Sequence, residues 1–281
     1  MPAPTLRQIV TVLEAAYPPA LAADWDAIGL TCGDPDATVA TVLFAVDPVL
    51  EVLDEALMAQ VDLIVTHHPL FLTGVHSVAA AGAKGKIVHT LISHGIALFS
   101  AHTNADHSDP GVSDALAQAL GLSGLRPLVP TAQDHSTGTG RVGQLAEPVT
   151  LEQFAEQVAA VLPETQHGVR VAGDPMTKVR TVAVCGGAGD GFMSEAAAVA
   201  DVYVTSDLRH HRALEHLADG GCALIDIAHW AGEWPWLEQA AGALARGLAG
   251  QGSSVRTIIS QLPTDPWTSR VLRAPSQGST S

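Results

Sequence analysis

The chain has 281 residues, 47% of them hydrophobic, and a formal net charge of −15 at pH 7. That length and apolar content suit one large α/β unit or two lobes, while the acidity argues against phosphate-backbone attraction, so nucleic acid is not an expected partner. No apolar run approaches the roughly 18 to 20 residues of a membrane helix, and no membrane association is expected.

In chain order, residues 1–17 read as an amphipathic helix with Leu6, Ile9, Val10, Leu13 and Tyr17 on one face, not as an export leader. Cys32, Cys185 and Cys222 form no CxxC pair and leave an odd thiol. Both features fit a reducing, cytoplasmic setting. From Thr41 onward, short β-branched runs alternate with Ala-rich helical stretches, the pattern of βα units in a mostly parallel or mixed sheet.

The chain nearly repeats itself. Thr41 to Val46 recurs as Thr181 to Gly186, Val61 to Thr66 as Ala200 to Thr205, and Gly95 to His102 as Gly221 to His229. Three strands in the same order indicate a duplicated α/β chain, with a first half over 1–126 and a second over 140–273. The Pro-, Thr-, Ser- and Gly-rich stretch 127–139 is expected as a linker, and 274–281 as a disordered tail. Ligands of open α/β sheets gather at the carboxyl ends of strands, so equivalent strand ends from both halves can face one cleft.

Three of those strand ends carry metal-ligand chemistry. His67-His68-Pro69 follows the apolar run Val61 to Thr66, and two adjacent imidazoles that diverge suit two ions better than one. The alternative is a solvated histidine pair in a loop. Downstream of Ile96 to Phe99, the segment His102 to His107 offers Asp106 as an oxygen ligand and His102 or His107 as ligand or supporting donor. Equally, Asn104 and Asp106 can shape an Asx turn, with Ser113 capping a helix over 114–120. His229 and Glu233 stand four apart, on one helical face, if the segment forms a first helical turn before Pro235; alone, they read equally as a surface pair. Asp207, His210 and His211 follow the strand that repeats the His67-His68 strand, so Asp207 and His211, with His102, are candidates for proton transfer or for orienting ligands. A Walker-type phosphate loop and a G-x-S-x-G elbow are both missing from the sequence, which leaves metal chemistry in front.

Together these segments resemble the dinuclear-metal-centre, ring-shaped hexameric family whose members carry the name GTP cyclohydrolase I type 2 homologue, also called Nif-three-like. The resemblance runs through Asp24 to Leu30, Val65 to Pro69, His102 to Asp106, Gly140 to Gly143, Ala183 to Gly187, Val204 to Asp207, His229 to Glu233 and Thr264 to Pro266. It implies two intertwined, duplicated α/β/α lobes with mixed sheets, in a short form without an inserted domain. It implies two divalent metal ions per chain, His68 and Asp106 on one, His67 and His229 on the other, and Glu233 bridging both. Zn, Mn, Fe and Co all suit such a His/carboxylate set. It further implies a homohexamer, a trimer of dimers, and a metal-dependent hydrolase of a nucleotide-like or phosphorylated small molecule, GTP cyclohydrolase activity being one candidate. The alternative is a non-catalytic metal-binding scaffold or regulatory hexamer. Ser206, His210, Trp230 and Gly232 depart from the family's usual pattern without removing a ligand.

Overall fold

The computed structural model describes residues 2–132 and 134–271; the tail expected over 274–281 lies outside them. Two mixed sheets form the molecule. The first contains β1 (Gly29–Cys32), β2 (Thr41–Ala45), β3 (Leu63–Thr66) and β4 (Ala97–Ser100). The second contains β5 (Ser123–Pro130), β6 (Gly138–Thr150), β7 (Arg170–Ala172), β8 (Lys178–Ala188), β9 (Val202–Ser206) and β10 (Ala223–Ile227). The last strand, β11 (Arg256–Ile259), returns to the first sheet. The orders are β1-β4-β3-β2-β11 and β5-β6-β8-β9-β10-β7.

The duplication read from the sequence is a duplication of topology. β2, β3 and β4 run parallel with β1 antiparallel at the edge, and β8, β9 and β10 run parallel with β7 antiparallel at the edge. Atomic details repeat with it. Thr5 caps the helix Leu6–Ala16 in a capping box with Gln8, and Thr150 caps Leu151–Val161 with Gln153. Asp62 Oδ2 accepts from the amides of Ala40 and Thr41, and Asp201 Oδ2 from those of Arg180 and Thr181. Each aspartate thereby ties the start of one parallel strand to its neighbour. Gly33 and Gly173 hold positive φ where a Cβ would come within 2.6 Å of Ala97 Cβ and 2.9 Å of Ala223 Cβ. Both open a Gly-Asp-Pro turn that only glycine can start at this approach.

Alternation along the strands feeds two helical layers per sheet. Val42 and Phe44 face the helices Leu6–Ala16 and Pro235–Gly250, while Leu43 and Ala45 face Leu50–Met58 and Ala83–His94. Leu116 and Leu120, at the helix Val112–Ala119, pack with Leu151, Phe154 and Val158 under the second sheet. So a helix from the first half covers the second sheet, and the helix Pro235–Gly250 from the second half covers the first. That exchange is what intertwines the lobes. Each fully buried Leu or Phe in these layers contributes about 1.5–3 kcal/mol.

Within 127–139, expected as a linker, residues 127–130 belong to β5 and residues 138–139 to β6. Val129 pairs with Thr139 and Pro130 with Gly138. The polar composition belongs to a hairpin turn closed between Thr131 and Thr137, which the loss of apolar periodicity alone cannot distinguish from a linker.

Candidate metal centre

Strand ends from both sheets meet at the expected cleft. β2 runs into Asp47, β3 into His67 and His68, and β4 into His102; β9 runs into Asp207 and β10 into His229. The turns after β4 and β10 are equivalent. Each is a one-turn helix, Thr103–His107 or His229–Glu233, placing a carboxylate four residues after a histidine: Asp106 after His102, Glu233 after His229.

Every histidine of the cluster is anchored at Nδ1. His67 Nδ1 donates to the Ala101 carbonyl at 3.0 Å, and since a carbonyl only accepts, the ring proton sits there. Nδ1 of His68 lies 2.7 Å from Asp47 Oδ1, that of His102 2.9 Å from Asp26 Oδ1, and that of His229 2.6 Å from Asp207 Oδ2. Four Nε2 lone pairs are thereby left for the centre, the arrangement by which outer carboxylates and carbonyls fix metal-binding imidazoles. His229 Nε2 lies 2.9 Å from Glu233 Oε1, His67 Nε2 3.5 Å from the same oxygen, and His68 Nε2 3.3 Å from Oε2. His67 Nε2 also lies 3.7 Å from Asp106 Oδ1. Two groups have ligand atoms close enough to hold an ion, His68 with His229 and Glu233, and His67 with His68 and His102.

By proximity, His67 stands with Asp106 and Glu233, and His68 with His229 and Glu233, whereas the family resemblance pairs His68 with Asp106 and His67 with His229. Successive residues after a strand diverge, and β3 is flanked by β4, which leads to Asp106; His68 instead turns toward Asp47, Asp207 and His229 of the opposite side.

Glu233 is buried, and its Oε2 finds no hydrogen-bond donor of acceptable geometry. Burial alone would raise its pKa, but the imidazoles of His68, His67 and His229 outweigh burial and hold the carboxyl well below its ordinary range. Correspondingly, burial works to lower His229, yet Glu233 and Asp207 raise it to about 10. Burial pushes the Asp106 carboxyl up. A buried carboxylate facing several imidazole nitrogens, with an oxygen left unsatisfied, is a donor set that fits divalent cations. Gly187 makes the close approach feasible: at φ +69°, a Cβ there would sit 2.4 Å from Glu233 Oε1 and 3.2 Å from His229 Nε2. The turn is tied down by Thr205 Oγ1 donating to the Gly187 carbonyl and by Tyr203 OH donating to that of Gly189.

All five expected ligands, His67, His68, Asp106, His229 and Glu233, thus line one cluster. His102 joins them at the wall, its ring 5.2 Å from that of His67, and Asp207 holds His229. His211 does not join: it is exposed on the helix His210–Ala218, against His210 at 5.1 Å. Ser113 lies inside the helix Val112–Ala119, not at its cap, and its Oγ accepts from the Gly186 amide at 3.2 Å. In place of the Asx turn, Asn104 Oδ1 accepts from the amide of His102, two residues before it, at the start of the helix Thr103–His107. Asp26 and Asp47 were not among the expected site residues. Asp47 carries the same signal as the histidines, a polar residue directly after an apolar strand, and Asp26 lies in the Asp24 to Leu30 segment. Arg141, of the Gly140 to Gly143 segment, is buried and pairs with Asp114 while donating to the carbonyls of Gly138, Gly140 and Ser108, so it braces the wall.

Comparison with known proteins places this geometry. Residues 4–266 match the family described as Duf34/NIF3 (NGG1p interacting factor 3). The chain is 50% identical over 275 residues to a protein of Streptomyces coelicolor named GTP cyclohydrolase 1 type 2 homolog, covering 97% of this chain and 96% of that one. A Mycobacterium tuberculosis protein of the same name is 36% identical over 370 aligned positions, covering 93% and 96%; an alignment longer than this chain means inserted sequence in that relative. Among solved structures, a Bacillus cereus protein related to NIF3 superposes with a TM-score of 0.88 at 27% identity, covering 95% of this chain and 99% of that one. A Staphylococcus aureus hypothetical protein gives 0.85 at 30% identity, covering 94% and 98%. On the matched length and the shared fold, the chain belongs to the DUF34/NIF3 family.

Proposed function

We propose that the cluster is a two-metal centre and that the protein is a metal-dependent hydrolase of a small, nucleotide-like molecule. The observation that carries this reading is the convergence of three Nδ1-anchored imidazoles, His67, His68 and His229, on the buried, under-satisfied carboxylate of Glu233, with a fourth anchored imidazole, His102, beside His67. By these contacts, His67 and Asp106 would hold one ion and His68 and His229 the other, with Glu233 placed within reach of both sets. Two such ions supply a water of lowered pKa and a clamp for an electrophile. Around them, this chain's own residues act: Asp47 and Asp207 orient His68 and His229, Gly187 gives access to Glu233, and His102, held by Asp26, presents Nε2 at the wall for positioning or proton transfer.

Elemental analysis of gently purified protein tests the reading, with about two ions expected per chain. His68→Ala and Glu233→Ala should lose metal, and hydrolysis of a nucleotide and phosphoester panel should follow metal content. Protein that is folded, free of metal and unable to take it up would sink the proposal. Metal-replete protein inert on the panel would instead favour a scaffold role. The ring-shaped homohexamer is proposed on the same family basis, and a monomeric mass by light scattering would contradict it.

A further inference from the structure

Two cavities meet at the centre, and His68 and His229 line both. One, of about 380 Å³, opens past His102, Asp106 and Glu233, with Trp25 and Phe192 on its wall. The other, of about 320 Å³, lies behind the imidazoles and is walled by Asp47, Asp207 and Asp265. Among the described residues, neither cavity is lined by a lysine or an arginine. Sites that hold polyphosphates use such cations or a phosphate loop in addition to metal. Here the five carboxylates of Asp26, Asp47, Asp106, Asp207 and Glu233 already outweigh the four positive charges of two divalent ions, leaving little positive potential for a tail of several negative charges.

What the first cavity offers instead is an aromatic wall. Trp25 is 60% exposed, which leaves a large apolar side chain facing water in the free protein. Its ring meets that of His102 at 5.9 Å and 76°. The next residue, Asp26, is fixed by the His102 ring, by the amide and hydroxyl of Thr103 and by the Ala27 amide. The indole therefore stands on a rigid turn, in the pre-organised manner of a stacking platform. The cavity volume is that of a small-molecule site.

We propose that this cavity binds a planar nitrogen heterocycle without a polyphosphate tail, a nucleobase or nucleoside, stacked on Trp25 beside the metal centre. The proposal rests on the hydrolase reading and names its substrate class. Trp25 acts here as the specificity-determining residue.

The test is equilibrium binding of guanosine, adenosine, cytidine, GTP and inorganic triphosphate to the full chain, with metal content measured on the same samples. At least one nucleoside should bind as tightly as GTP or tighter, and triphosphate should not compete with it. Trp25→Ala should weaken nucleoside binding about tenfold, equivalent to ~1.4 kcal/mol, while Trp25→Phe keeps most of it. Because Trp25 is exposed, neither variant removes core packing. Tighter binding of GTP than of every nucleoside, failure of all three nucleosides to bind, or unchanged affinity in Trp25→Ala would each overturn the proposal. So would a Trp25→Ala variant that changes oligomeric mass and not affinity, which would assign the indole to a subunit contact. Metal-free protein would count against the two-metal reading, whereas metal-replete protein preferring GTP would defeat this inference alone.

Discussion

His67 Nε2 and Glu233 Oε1 lie 3.5 Å apart although one residue belongs to each half of the duplicated chain. The turn after β3 and the turn after β10 deliver them to the same point. Neither half alone holds the cluster, and helix exchange between the lobes keeps the two sheets in a fixed relation around it.

Asp207 and Asp47 orient His229 and His68 without themselves facing Glu233. Asp207→Asn and Asp47→Asn should each weaken metal binding by about 10–100-fold, with little loss of helix or strand content by circular dichroism. Competition with a metallochromic chelator gives the affinities. Equal affinity in wild type and both variants would show that the carboxylates are bystanders.

Metal uptake should depend on pH in a defined direction. In the metal-free protein His229 is raised to about 10, so its stabilising pairing is complete below the ordinary imidazole value near 6.5 and is lost as pH climbs through 10. Glu233 is depressed, so its contribution is present above about 4.5 and is lost as pH falls toward its folded value. A metal ligand must be the neutral imidazole, so binding displaces protons from His229 and His68, which is also raised. Calorimetry between pH 6.5 and 9 should show proton release and affinity that grows with pH. Metal binding independent of pH in that window would contradict the protonation pattern.

Gly187→Ala should damage the centre more than the fold. The added Cβ meets Glu233 Oε1 and is forced to a left-handed φ, a strain of about 1–3 kcal/mol. Loss of most bound metal, with a modest fall in denaturation midpoint, is the expected pair of results. Full metal content in the variant would mean that the turn can retreat from the carboxylate.

Arg141 is the structural counterpart. Arg141→Ala leaves Asp114 buried without its partner and should cost about 3–5 kcal/mol, whereas Arg141→Met with Asp114→Leu should cost less because no lone charge stays behind. Urea denaturation of the three proteins measures both. A single variant as stable as wild type would remove Arg141 from the set of residues that hold the wall.

The sequence by itself determined the secondary elements of the repeat and the kinds of ligand. Apolar runs ending in His67-His68, His102 and His229 mark strand ends because side-chain alternation and the abrupt change to polar residues are local properties of the chain. The histidine-to-acid spacing of His229 to Glu233 was legible too, while its equivalence to His102 and Asp106 came from the matching one-turn helices. Tertiary structure alone decided which ligands share a neighbourhood, because that depends on strand order and on the crossing of Pro235–Gly250 and β11 into the first sheet, contacts between residues distant in sequence. It put His67 beside Asp106 and His68 beside His229. It also turned 127–139 into a hairpin, since hydrogen bonding to β6 is a relation between segments, and it left His211 on an exposed helix face that no local pattern separates from the cleft.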